Sequence, residues 1–143
     1  MKTTAALAAQ AIRKEVKAKF PGLMFKCTSE NYSGGNSVRL SYTDQPKAIH
    51  EQLKSIAFRY QYGHFDGMTD SYNYTNKIEG LPQVRFVFSD NQISDAKRAE
   101  LYQILRTEWK DGDKLPATYE EGRNVPFQGN YVSEMVWQLF TAA

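Results

Sequence analysis

Residues 23–42 read Leu-Met-Phe-Lys-Cys-Thr-Ser-Glu-Asn-Tyr-Ser-Gly-Gly-Asn-Ser-Val-Arg-Leu-Ser-Tyr, and they decide the fold class. Leu23, Phe25 and Cys27 alternate with Met24, Lys26 and Thr28, and Val38, Leu40 and Tyr42 alternate with Arg39 and Ser41. A period of two lays apolar side chains along one face of a strand, so both runs read as half-buried strands. Asn31-Tyr32-Ser33-Gly34-Gly35-Asn36 between them is a cluster of turn formers, and the pair reads as a β-hairpin with a somewhat long loop.

On the N-terminal side, about Thr3 to Phe20 places Leu7, Ala8, Ala11, Ile12, Val16 and Phe20 at helical spacing and leaves Arg13, Lys14 and Lys17 on the other side. Pro21-Gly22 ends this helix, because proline cannot continue it and glycine accepts the angles of a cap. On the C-terminal side, Thr43-Asp44-Gln45-Pro46 supplies an N-cap candidate before a proline. Ile49, Leu53, Ile56, Ala57 and Tyr60 then carry a second helix from Pro46 to about Gln61. Tyr72, Tyr74 and Asn76 alternate as in a strand, a turn at Glu79-Gly80-Leu81-Pro82 follows, and Val84, Phe86 and Phe88 alternate with Arg85 and Val87. This predicts a second hairpin. A third helix from Ile93 or Ser94 to Trp109 closes at Asp111-Gly112. Residues 113–128 form a long connection, and Val132, Met135, Val136, Leu139 and Phe140 set a last helix. The order α-β-β-α-β-β-α-α predicts one α+β domain over residues 1–143, with helices on one face of a four-stranded, largely antiparallel sheet made of two hairpins.

The 143 residues amount to one ordinary domain, and 41% hydrophobic residues with 13% aromatics give enough apolar surface to offset the ordering entropy. A single Cys excludes an internal disulfide and a four-Cys zinc or iron–sulfur site, which points to a reducing compartment. No apolar run approaches the roughly 18–20 residues of a membrane span. Gln10 and the charges at Arg13, Lys14, Glu15 and Lys17 interrupt the alanine-rich opening before it can serve as a signal peptide. The expectation is a cytoplasmic protein with no membrane contact. The net charge of +2 conceals a split: residues 1–62 hold ten basic and four acidic side chains, +6, and residues 63–143 hold eight and twelve, −4. Such asymmetry marks either a surface for an anionic partner or two mutually attracting faces.

No common catalytic or cofactor signature is present, and no catalytic residue, metal or cofactor is expected. Ser33-Gly34-Gly35-Asn36 lacks the Lys-Ser/Thr of a phosphate loop and reads as a hairpin tip. His64, Asp66 and Asp70 could ligate a cation from one loop, but two carboxylates and one imidazole fall short of the usual sets, and Asp-Gly in a loop is ordinary turn chemistry. His50 flanks a core position of the second helix, and Cys27 shares the register of Leu23 and Phe25 and reads as a small buried hydrophobe. The nine tyrosines are the unusual feature. Tyr32, Tyr42, Tyr60, Tyr62, Tyr72 and Tyr74 are interleaved with Arg39, Lys47, Lys54 and Arg59. Tyr and Arg together suit a protein interface, or single-stranded nucleic acid with bases on rings and phosphates on cations. Strand propensity alone accounts for part of the enrichment. The candidate binding residues are Tyr32, Arg39, His64, Phe65, Asp66, Asp70 and Tyr72, with Arg13, Lys14 and Lys17 as the alternative nucleic-acid surface.

Several stretches together resemble a known family: Ala11–Glu15 with Phe20-Pro21-Gly22, Ser29–Val38, Ser41–Pro46, Tyr60-Gln61, His64–Asp70 and Arg85–Phe88. These are similar to the large polyvalent protein-associated domain 29, over about residues 11–90, although Tyr42 and Gln45 stand where many members have Trp and Gly. The resemblance implies a module of phages, plasmids and conjugative elements, associated with conflict between mobile elements and host defences. It brings no catalytic residues. The expected function is a small non-catalytic binding protein of a mobile element or its host, contacting a host or mobile-element protein. The alternative is a nucleic-acid-binding accessory protein.

Overall fold

The computed structural model describes residues 2–66, 68, 69 and 71–143, with Phe65 described by its backbone alone. The chain is mixed α and β and divides into two compact units, Met1–Gln92 and Ile93–Ala143. The first contains α1 (Thr4–Lys19), β1 (Phe25–Tyr32), β2 (Gly35–Thr43), α2 (Lys47–Phe58), β3 (His64–Asp66), β4 (Ser71–Asn73) and β5 (Phe86–Gln92). The second contains α3 (Asp95–Glu108), a 3-10 turn at Gly112–Lys114, α4 (Tyr119–Gly122), β6 (Pro126–Phe127), β7 (Asn130–Tyr131) and α5 (Val132–Ala142).

The hairpin that opens the sheet forms as the alternation requires. β1 and β2 pair antiparallel from Phe25 opposite Tyr42 to Tyr32 opposite Gly35, and the loop is shorter than the turn formers suggest, only Ser33-Gly34, because Asn31, Tyr32, Gly35 and Asn36 all join the ladder. Gly34 takes φ +92°, a left-handed angle that costs glycine nothing. Cys27, Val38, Leu40, Tyr42 and Val87 point into the core, where they meet Ala5, Ala8, Ala9, Ile12 and Val16 of α1 and Leu53, Ile56 and Ala57 of α2. Alanines on the inner face of α1 allow close approach to the sheet. Leu7, expected inside from its spacing, is 43% exposed on the flank of that alanine face. Thr3 caps α1 through its hydroxyl, which accepts from Ala6 N. Pro46 rather than Asp44 holds the N-cap position of α2, because Asp44 turns into the left-handed region at φ 55°.

The sheet departs from the expected four-stranded, two-hairpin form. Three strands make it, in the order β1-β2-β5, and β5 runs parallel to β2 with Val87 beside Val38. The chain from β2 through α2 to β5 is a crossover, the connection that parallel neighbours need. Tyr72 lies instead in a separate two-stranded ribbon, with Phe65 opposite Tyr72. The alternation of Val84, Phe86 and Phe88 identified a strand but not its neighbour. The inner edge of β2 needed pairing, and placing Val87 over the core decided the partner.

Side-chain amides finish what the ladder leaves open. Gln61 Oε1 accepts from Val87 N at 2.8 Å and its Nε2 donates to Gly63 O. Gln83, only 9% exposed, donates to the carbonyls of Arg59 and Asn76, each at 2.8 Å, and accepts from Ile78 N at 2.9 Å. Asn91 bonds both the N–H and the C=O of Gln45.

The second unit has its own core of Leu101, Tyr102, Leu105, Leu115, Phe127, Val132, Met135, Val136 and Phe140. Ser94, where the sequence reading began the third helix, is the N-cap of α3, and Tyr102 donates to Pro116 O at 2.7 Å. A Cβ at Gly122 would come within 2.1 Å of the Tyr102 hydroxyl, so only glycine fits there.

Candidate functional site

The exposed end of the β1–β2 hairpin meets the β3–β4 ribbon in a cluster of aromatic rings around one arginine. Gly63 brings the ribbon in: a Cβ there would lie 2.1 Å from Asn73 O and 2.6 Å from the Tyr72 ring. Tyr62 and Tyr74 stack with centroids 5.3 Å apart and planes at 19°. Tyr72 stands edge-on to Tyr62, Tyr74 and Phe86 at 5.6, 5.2 and 5.9 Å. Each such pair contributes about 0.5–1.5 kcal/mol beyond its buried area.

Arg85 is fixed at the centre. Its guanidinium carbon lies 4.9 Å from the centre of the Tyr72 ring and 5.5 Å from that of Phe86, and Nη1 donates to Gly34 O at 2.6 Å. Its backbone N–H donates to Asn36 Oδ1, and its carbonyl accepts from the Tyr72 hydroxyl at 2.6 Å. A Cβ on Gly35 would meet Arg85 Cδ at 3.1 Å and the Tyr32 ring at 3.5 Å, so Gly35 is the floor between those two side chains. Burial raises the pKa of Tyr62 and Tyr72, which keeps both phenols neutral donors. Tyr74 is 68% and Tyr32 43% exposed, and they form the outward rim. Beside Tyr62 a groove of about 620 Å³ runs past Thr4, Lys77, Ile78, Leu81 and Pro82.

A second arginine extends the aromatic strip. Phe86 and Phe88 share the face of β5 opposite the buried Val87. Arg39, beside Phe88 in register, lays its guanidinium 4.6 Å from the Phe88 ring and pairs with Asp90.

Of the residues singled out from sequence, Tyr32 and Tyr72 join this cluster, and Arg39 lies further along the strip. His64 Nδ1 is 3.0 Å from Thr75 Oγ1. Asp66 accepts from Met68 N at 2.9 Å, a turn bond that lowers its pKa. The Phe65 side chain and Asp70 lie outside the described residues. Among the described residues no three His, Cys, Asp or Glu side chains gather into a metal-binding group. Arg13 donates from both Nε and Nη2 to Cys27 O, at 3.2 and 2.7 Å, which ties α1 to β1, while Lys14 and Lys17 remain exposed on the helix. The Cys27 thiol is buried and its pKa is pushed up to about 11, an inert state.

Sequence reasoning passed over Arg85, Tyr62 and Phe86 as site residues. The available signal was a cation inside Val84-Arg85-Phe86-Val87-Phe88, an otherwise apolar strand.

Fold and cluster together define a mixed α+β domain with an aromatic–arginine surface. A family model for the large polyvalent protein associated domain 29 matches residues 3–102, more than half of the chain. The chain belongs to that family, which is associated with polyvalent proteins of phages and mobile elements. No curated protein and no solved structure matches it.

Proposed function

We propose that this chain is a non-catalytic binding protein of a mobile genetic element or its host, working in the cytoplasm by protein–protein contact in phage or plasmid conflict with host defences. One observation carries the reading: Arg85 is held by two rings and a backbone carbonyl beneath an exposed rim of tyrosines. Tyr and Arg are the residues that dominate binding energy at protein interfaces. Fixing Arg85 and the stacked rings before contact lowers the entropy lost on binding. The groove beside Tyr62 offers room for an apolar side chain of the partner.

A nucleic-acid partner would have to use the exposed Lys14 and Lys17 of α1 rather than the aromatic cluster, because the arginines there and nearby already serve groups of the chain itself. Arg13 serves Cys27 O, Arg39 serves Asp90 and Arg85 serves Gly34 O. Phosphate binding draws on several free cations.

The test is a photo-crosslinking residue placed at Tyr74, with a second at Trp109 as control, followed by binding measurements on the purified captured protein. A partner captured from Tyr74 alone, whose affinity drops at least tenfold in Arg85→Ala, supports the reading. Salt-dependent affinity for single-stranded DNA or RNA with no protein captured overturns it.

A further inference from the structure

The outer edge of β1 carries a pattern that selects its own copy as partner. In an antiparallel pair, hydrogen-bonded and non-hydrogen-bonded positions alternate. A two-residue loop makes Tyr32 and Gly35 a hydrogen-bonded pair, so Lys26, Thr28 and Glu30 also spend their backbone groups on β2. The backbone N–H and C=O of Phe25, Cys27, Ser29 and Asn31 therefore point outward. The reach of Arg13 to Cys27 O agrees with this assignment. Among the described residues no backbone hydrogen bond from another element reaches this edge. An exposed eight-residue edge is a template for another strand.

The side chains fix the register. Lys26, Thr28 and Glu30 lie on the face opposite the buried Cys27, and among the described residues neither Lys26 nor Glu30 has an ion-pair partner. We propose that β1 pairs antiparallel with β1 of a second copy about a two-fold axis through Thr28, joining two three-stranded sheets into one. That register sets Lys26 opposite Glu30 of the other copy twice over and Thr28 opposite Thr28. It also makes Cys27–Ser29 and Phe25–Asn31 the hydrogen-bonded pairs, the parity that the outward groups demand. Moving the axis by one residue to Ser29 keeps that parity but sets Lys26 opposite Tyr32 and loses both ion pairs. The same patch serves both copies, as a two-fold interface requires. The hold of Arg13 on Cys27 O competes with the new bonds, so the dimer is weak and concentration-dependent.

Sedimentation velocity on the full chain from about 1 μM to about 1 mM tests the proposal. The expected result is a monomer–dimer equilibrium within that range. Glu30→Lys, which sets like charges opposite each other, weakens it roughly tenfold, and adding Lys26→Glu restores it. Ser29→Pro removes an outward donor without touching the bonds to β2 and abolishes the dimer. Thr28→Cys yields an inter-chain disulfide under mild oxidation, because Cα atoms of a non-hydrogen-bonded pair lie about 4.5 Å apart. Circular dichroism confirms that each variant is folded. A monomer throughout the range, or a dimer indifferent to both Glu30→Lys and Ser29→Pro, overturns the proposal.

Discussion

Tyr42 and Tyr74 show one residue type put to opposite uses within a single unit. Tyr42 is 2% exposed, and its hydroxyl lies 2.5 Å from His50 Nδ1 and 2.6 Å from Ser89 Oγ. Tyr60 is similarly buried and donates to Glu15 Oε2 at 2.5 Å. Just beyond β4, Tyr74 keeps most of its surface, and its ring packs on those of Tyr62 and Tyr72. Around Tyr42 and Tyr60 the tyrosine is a core residue with its polar atom satisfied. Around Tyr62, Tyr72 and Tyr74 it is a surface held ready. The difference teaches that tyrosine enrichment is not one signal, since burial of the hydroxyl separates the structural members from the candidate contacts.

The comparison can be broken most sharply at Tyr42. Tyr42→Ala removes a buried ring and strands His50 and Ser89, and the expected loss is about 4 kcal/mol in denaturant unfolding. Gln83→Leu comes next, at about 2–3 kcal/mol, because the carbonyls of Arg59 and Asn76 and the N–H of Ile78 all lose their partner. Tyr42→Phe costs about 1 kcal/mol near neutral pH. It also tests linkage. Burial pushes the Tyr42 pKa from the ordinary 10 up to about 12, so its contribution is complete below pH 10 and is lost as pH rises toward 12. Thermal melts across that window should fall less steeply in Tyr42→Phe than in the parent. His50 runs the other way: burial lowers its pKa, so stability declines as pH drops below 6.5, and His50→Gln flattens the decline. Tyr74→Ala gives up two ring pairs on the exposed rim and costs only about 1 kcal/mol, far less than Tyr42→Ala, yet it should weaken binding of the purified partner at least tenfold. A large stability loss there would erase the distinction between the two groups.

Much of the fold could be read along the chain. Alternation and the Gly34-Gly35 turn give β1 and β2, and helical spacing gives α1, α2, α3 and α5 within a few residues. Neither the neighbours nor the inner face of β5 could be read, because apolar residues stand on both sides of that strand, Val87 buried and Phe88 40% exposed, and a period of two carries no information about the strand beside it. Tyr72 illustrates the same limit, since its alternation is genuine and its partner is β3. The site was legible in kind, as Tyr with Arg, but not in membership. Arg85 and Phe86 join Tyr72 only because Gly63, Gln61 and Gln83 steer the ribbon against β5, and those contacts link residues far apart in sequence.

The parallel pairing of β2 with β5 also dictates an order of events. Val38 meets Val87 only after α2 and the ribbon have been made, whereas β1 and β2 need no more than a two-residue turn. Local contacts form early and distant ones wait for the closure of a long loop. On the ribosome the first hairpin therefore emerges with both edges bare, and it stays so until residue 92 is clear of the exit. An unpaired strand edge is a template for another strand, so this interval is when the nascent chain is most open to pairing with a neighbour.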